Sequence, residues 1–287
     1  MIKDFFIVTK FVLSFAVSLS ALFAYIMAKG DVGIDMLLAT LAVILVAMGV
    51  STLNQVQEYK EDALMERTKH RPIAAGRMTP RTGYIISATL VILSMILIYN
   101  LLGLLGINIF MFAFIWYNLM YTPLKKKSAL AVVPGAILGA IPPAVGWLVA
   151  GNSLMELEFL ALALYFFIWQ VPHYWLLVML FHGDYKDAGY PTAMRLFGQG
   201  SLQRLTFIWL IFTIQSGIFL VSIFEPYTAS IVASIVVGIW AFISSLELLK
   251  EKFVLSNARS VFWKINASFL AIIIILSIDE YIKHQIA

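Results

Sequence analysis

The chain has 287 residues, of which 61% are hydrophobic and only 13% charged, about half the charged fraction of an average soluble domain. With a mean hydropathy of +0.91, this composition excludes a disordered chain and a soluble enzyme and leaves a polytopic membrane protein. There is no cysteine, hence no disulfide, thiolate metal site or cysteine nucleophile. The net charge of +4 is read as basic loops beside anionic lipid headgroups, with no nucleic-acid partner.

A membrane-spanning helix needs roughly 20 mostly apolar residues. Nine such stretches are expected, at 11–28, 36–57, 82–102, 107–124, 130–150, 159–181, 205–224, 228–246 and 260–278. The third and fourth come from one uncharged run, divided at Gly103-Leu104-Leu105-Gly106 because a single helix of that length would overshoot the bilayer. The first stretch is too long for a cleavable signal peptide. Pro142-Pro143 should kink the fifth helix. Placing the N-terminus and alternate loops in the cytoplasm puts 18 of the 20 Lys and Arg residues there, all but Lys29 and Lys283, as the positive-inside rule requires. The expectation is an all-α bundle forming one membrane-embedded domain over residues 1–287, in a prokaryotic cell membrane.

Two polar clusters fall at cytoplasmic helix ends. In the first, Asn54, Glu58 and Asp62 are spaced i, i+4, i+8. If the second helix runs that far, they form one stripe over roughly 12 Å of axis. An amide and two carboxylates are hard oxygen ligands suited to Mg²⁺ held together with a substrate phosphate. Arg67, Lys69 and Arg71 follow in the loop and suit phosphate oxygens, although a positive-inside loop needs basic residues in any case. The second cluster is Trp169-Gln170-Val171-Pro172-His173-Tyr174-Trp175, then Asp184 and Asp187, ended by Gly189 and Pro191. His173 fits either a core histidine bonded to a carbonyl or a functional group, since an ionisable residue within a span is a functional candidate. Two acidic clusters facing each other across a bundle, with cations in the loops, would make a diphosphate–Mg²⁺ site.

At these residues the chain resembles the UbiA-type intramembrane prenyltransferases, and among them the protoheme IX farnesyltransferase (heme O synthase) branch. The first motif with its basic tail through Arg71-Pro72 is similar to the family's first aspartate-rich motif. Tyr121-Thr122 with Lys125-Lys126-Lys127 resembles the basic loop after its fourth helix, and Gly139 to Trp147 its fifth helix. The Trp169–Trp175 segment with Asp184 and Tyr190-Pro191 resembles its sixth helix and second acidic motif, and it is this segment that points to the heme branch. The chain departs from the family pattern at Lys60, where a further acid is common. It departs again at Gly183, where an acid usually precedes Asp184, and at Lys10-Phe11, where a basic–proline pair is typical.

The resemblance implies a nine-helix fold and transfer of a farnesyl group from farnesyl diphosphate to a vinyl group of heme b, with Mg²⁺ as cofactor. It implies that Glu58, Asp62 and Asp184 hold the metal, with Asp187 as a substitute, and that Asn54 positions the head group. Arg67, Lys69, Arg71 and Lys126 would bind diphosphate, and His173 and Trp175 would lie near the acceptor. The same chemistry on an aromatic quinone precursor, a chlorin or a glycerol phosphate lipid is the nearest alternative. A transporter is the remote one, because the acids sit at one membrane face and mid-span ionisable residues are few.

Overall fold

The computed structural model describes residues 2–250 and 255–286; Lys252, one of the predicted cytoplasmic bases, lies outside them. Among the described residues every regular element is helical. A short helix α1 (Ile2–Val8) precedes α2 (Phe11–Lys29) and α3 (Ile34–Gln57), and a single turn α4 (Tyr59–Asp62) follows. The next helical run is α5 (Pro80–Phe114), a π-helical turn Ile115–Tyr121 and α6 (Thr122–Lys125). Then come α7 (Val132–Gly135), a 3-10 turn Ala136–Ala140 and α8 (Ile141–Val149). The rest is α9 (Leu157–Leu180), α10 (His182–Asp187), α11 (Ala193–Phe197), α12 (Gln199–Phe224), α13 (Thr228–Ser245) and α14 (Leu255–Ile286).

Eight of these segments are long and apolar enough to cross a membrane, and one of them, Pro80–Lys125, has 46 residues. At 1.5 Å per residue that run would be about 69 Å long, twice a bilayer core. It turns back at Gly103, whose backbone is non-helical (φ 59°, ψ −142°), a conformation open to glycine alone at little cost. A Cβ on Gly106 would fall 2.6 Å from the Ile98 side chain, although residues eight apart in a straight helix are about 12 Å apart. The run is therefore a helical hairpin, which makes nine crossings from the eight segments among the described residues. The expected division at 103–106 is correct.

The fifth crossing differs from expectation in detail. The Pro142-Pro143 pair opens α8 at its first turn, where a missing N–H costs nothing, and the irregularity lies before it, in the 3-10 turn Ala136–Ala140. The helix α1 was not anticipated; Lys10, in the left-handed region (φ 48°, ψ 44°), separates it from α2.

The helices close into a ring in which α14 packs on both α2 and α9. One core joins Ala24, Trp147, Leu162, Tyr165, Leu220 and Phe269; a second joins Ala21, Val43, Val46, Ile98, Phe110 and Val145. Large apolar side chains such as Leu104, Ile92 and Val232 face outward, as a bilayer permits. Small residues set the tightest contact: a Cβ on Gly146 would lie 2.0 Å from the Ala21 carbonyl oxygen, so α2 and α8 meet backbone to backbone.

Candidate active site

The first polar cluster is assembled where α3 ends. The helix does not run through Asp62 as the spacing suggested. It stops at Gln57, Glu58 leaves helical geometry (φ −121°, ψ 13°), and Asp62 stands on the separate turn α4. The i→i+4 bonds Glu58 N–H to Asn54 O (3.1 Å) and Asp62 N–H to Glu58 O (2.8 Å) survive the break. Asn54, Glu58 and Asp62 therefore remain neighbours, and all three are buried.

Buried carboxylates need partners, and this site supplies them from four parts of the chain. Asn54 accepts from Lys10 Nζ (3.2 Å) and donates to Glu58 Oε2 (2.8 Å) and Thr122 Oγ1 (3.2 Å). Glu58 Oε2 also takes Lys125 Nζ at 2.7 Å, and Oε1 accepts from the Tyr190 hydroxyl at 2.9 Å. Arg71 places Nη1 at 2.8 Å from both oxygens of Asp62, so one nitrogen serves the pair while Nη2 and Nε are not used on it. Thr68 donates to the Asp62 carbonyl at 2.9 Å, which closes the loop back onto α4. The π-helical turn beneath is pinned by Asn118, which bonds the Val50 carbonyl (3.2 Å) and Gln57 Oε1 (3.1 Å); such turns recur at functional sites.

The charges respond to one another. Burial would raise the Glu58 carboxyl, but Lys125, Tyr190 and Lys10 outweigh it and hold it below the ordinary carboxylate range. Tyr190 is pushed up by burial and then by Glu58, so it stays a neutral donor. Desolvation, with repulsion from Arg71 and Lys125, brings Lys10 down to about 7 against the attraction of Glu58 and Asp62.

The remaining predicted residues divide. Arg67 joins the two acidic clusters, its backbone N–H donating to Asp184 Oδ2 (3.3 Å) while its guanidinium lies 4.8 Å from the Phe181 ring. Lys126 reaches the edge of the site by pairing with Glu61 at 2.5 Å. Lys69 turns outward to Glu66 in an exposed pair. Asp184 and Asp187 share α10, which ends before Gly189 (φ 74°) as expected, but Asp184 is half-buried against Arg67 and Asp187 is exposed. Among the described residues no three acidic or histidine side chains converge as a metal cage. Any divalent ion here would rest on carboxylates that form no closed cage by themselves and would complete its shell with substrate oxygens, the usual habit of Mg²⁺.

His173 and Trp175 do not share a surface, because residues two apart on a helix point about 200° apart. His173 lies between Trp169 and Phe262, with ring centroids 4.8 and 5.0 Å away. Its bond is to the side-chain carbonyl oxygen of Asn266 rather than to the backbone. Trp175 packs edge-on against Trp209 in a different core. Sequence reasoning missed Lys10, Lys125 and Tyr190 as partners of the first motif. All three stand in segments quoted for other reasons, and nothing local marks any of them as a partner of Asn54 or Glu58.

Three comparisons bear on this geometry. The model of the UbiA prenyltransferase family matches residues 13–267. A protoheme IX farnesyltransferase of Oleidesulfovibrio alaskensis is 30% identical over 270 residues, 94% of each chain. Among solved structures, one described as digeranylgeranylglyceryl phosphate synthase superposes with a TM-score of 0.76 over 98% of each chain at 15% identity. A UbiA homologue from Archaeoglobus fulgidus bound to GPP and Mg²⁺ superposes with a TM-score of 0.65 over 94% of this chain and 99% of its own, at 12% identity. At such identities the two structures speak for the fold alone. The family match spans all but the ends of the nine-crossing bundle and takes in the buried carboxylate–cation cluster apart from Lys10, and on that basis the chain belongs to the UbiA prenyltransferase family and is an intramembrane prenyltransferase.

Proposed function

We propose that the chain transfers a farnesyl group from farnesyl diphosphate to a vinyl group of heme b. The observation that carries the transfer is the buried Asn54–Glu58–Asp62 cluster held by Lys10, Lys125, Arg71 and Tyr190 at one end of an apolar bundle. The choice of heme rests on likeness to a protoheme IX farnesyltransferase along 94% of the chain.

In this reading the diphosphate lies against the free edge of the Arg71 guanidinium, with Arg67, Lys10, Lys125 and Lys126 around it. The hard oxygens of Glu58 and Asp62, with Asp184 opposite, suit Mg²⁺, which when bound screens the charge of the diphosphate leaving group. The solved relative bound to GPP and Mg²⁺ supports that assignment. The C1–O bond breaks with its electron pair leaving on diphosphate, and the cationic side chains stabilise that charge in place. The vinyl π pair then forms the new C–C bond to C1. Water adds to the resulting cation beside the porphyrin ring and releases a proton, giving a hydroxyethylfarnesyl side chain. Asn54, fixed by Lys10 and Thr122, holds Glu58 in register throughout. Residues 1–287 act as one domain, with the N-terminus and site on the cytoplasmic face of a prokaryotic membrane.

The test is turnover by purified protein in nanodiscs with Mg²⁺, farnesyl diphosphate and heme b, read by mass spectrometry. The expected product is heme plus farnesyl plus water. Prenylation of an aromatic, chlorin or glycerol phosphate acceptor, with heme untouched, would overturn the acceptor assignment and keep the transferase.

A further inference from the structure

His173 lies more than one helical turn inside the cytoplasmic end of α9, among aromatic rings, and bonds a residue 93 positions away. Its partner Asn266, on α14, is itself fixed. Asn266 Nδ2 donates to the Phe262 carbonyl at 2.5 Å, and exchanging its amide oxygen and nitrogen would set two acceptors face to face. Asn266 Oδ1 therefore points at His173 Nδ1 across 2.7 Å. An amide oxygen only accepts, so Nδ1 carries the proton, and a neutral imidazole has one N–H. The lone pair is on Nε2, which has no hydrogen-bond partner among the described residues.

The surroundings are equally short of partners. Trp169 Nε1 and Gln170 Oε1, within one turn of His173, are buried and unbonded, a rare condition for interior polar atoms. Trp169 is held flat on Phe269 at 4.0 Å and 14°, so the ring beside the imidazole is rigid. The result is a histidine of fixed tautomer and fixed plane, half-buried among aromatic rings, with a bare nitrogen that keeps some accessible surface.

We propose that Asn266 is a positioning residue that presents His173 Nε2 as an axial ligand to the iron of the heme acceptor. The proposal rests on the heme reading above. Neutral imidazole is the commonest protein ligand for metals, and haem iron is frequently held by a histidine. Ligating histidines characteristically donate their other N–H to an oxygen, which fixes the tautomer and raises the basicity of the ligand; losing that oxygen typically costs about 10–100-fold in metal affinity. Iron held this way would stop the porphyrin from sliding among the rings and fix which vinyl group meets C1 of the farnesyl donor. The role requires no contact between Asn266 and either substrate.

The experiment is titration of heme b into the full-length protein in nanodiscs, with the iron–imidazole stretching band of the ferrous complex recorded by resonance Raman. His173→Ala is expected to abolish the band. Asn266→Leu, similar in size, is expected to weaken heme binding about 10–100-fold and move the band to lower frequency. Asn266→Asp, which strengthens the acceptor, is expected to keep binding and move the band to higher frequency. A packing role would not produce opposite shifts from two variants of one residue. Heme that binds with an unchanged band in His173→Ala and in both Asn266 variants would overturn the proposal and leave heme as acceptor. A wild-type protein that takes up no heme yet prenylates another acceptor would overturn both.

Discussion

Arg71 offers the sharpest separation of what holds the site together from what it does. Its Nη1 serves both Asp62 oxygens at 2.8 Å, with side-chain exposures of 19% for Arg71 and 3% for Asp62. Removing one partner of a buried ion pair leaves a desolvated charge and costs about 3–5 kcal/mol. Arg71→Ala is therefore expected to lower the thermal stability of the purified protein markedly. The double variant Arg71→Ala/Asp62→Asn carries no orphaned charge and should recover most of that loss. Activity should not recover with it, because the unused edge of the guanidinium is assigned to diphosphate. Each charged hydrogen bond lost there is worth about 1.5–3 kcal/mol, about 10- to 150-fold in kcat/KM for farnesyl diphosphate. Arg71→Lys should stay folded, since the ammonium can still meet Asp62, and lose activity because it lacks the planar fork. Thermal unfolding and initial rates on the same preparations give both readouts. The reasoning is refuted if the double variant is no more stable than Arg71→Ala, or if stability and turnover return together.

Lys10 sets a pH dependence. With its ammonium brought down to about 7, the free protein carries that charge below pH 7 and loses it above. Diphosphate binding should weaken as pH rises through about 7 and should take up a proton above it. Lys10→Met should flatten this limb, as measured by calorimetry in buffers of different ionisation enthalpy. At Gly183 a Cβ would meet nothing within 4 Å, so Gly183→Asp should fold normally and add an acid beside Asp184. The Mg²⁺ concentration for half-maximal turnover should fall, and an unchanged requirement would remove α10 from the metal-binding face. Gly146→Ala should destabilise the bundle by about 1–3 kcal/mol, because its methyl would meet the Ala21 carbonyl oxygen at 2.0 Å and neither backbone has room to yield. A melting temperature equal to that of the wild type would show that α2 and α8 do not pack this closely.

The architecture was legible because a bilayer imposes one length scale on every apolar run. The turn at Gly103 follows from that scale and from the only residue type that adopts φ 59°, ψ −142° at little cost. The interruption at Ala136–Ala140 was not legible in the same way. The proline pair announced an irregularity but not its side, and the structure uses the prolines to start α8 while the chain tightens just before them. The helix α1 escaped because seven residues, five of them apolar, are too few to show a helical period.

The site divides along the same physical line. Spacing brought Asn54, Glu58 and Asp62 together correctly, although the helix assumed to do so ends between the first and the last. The i→i+4 bonds at Glu58 and Asp62 persist on either side of the break, so a spacing of four survives a change of axis, and the pattern alone cannot distinguish a kinked stripe from a straight one. What bends the chain is tertiary. Glu58 is drawn between Lys125 and Tyr190, residues 67 and 132 positions away, and those separations leave no trace in local pattern. The same holds for His173 and Asn266. A positive-inside loop of three lysines also hides which lysine acts, since topology requires only their sum. The structure separates them, giving Lys125 to Glu58 and Lys126 to Glu61. Lys125 therefore neutralises a carboxylate assigned to the metal, whereas Lys126 pairs with a half-buried acid at the rim. Loss of Lys125 should disturb the resting site more than loss of Lys126, although composition and the orientation rule treat the two residues as equivalent.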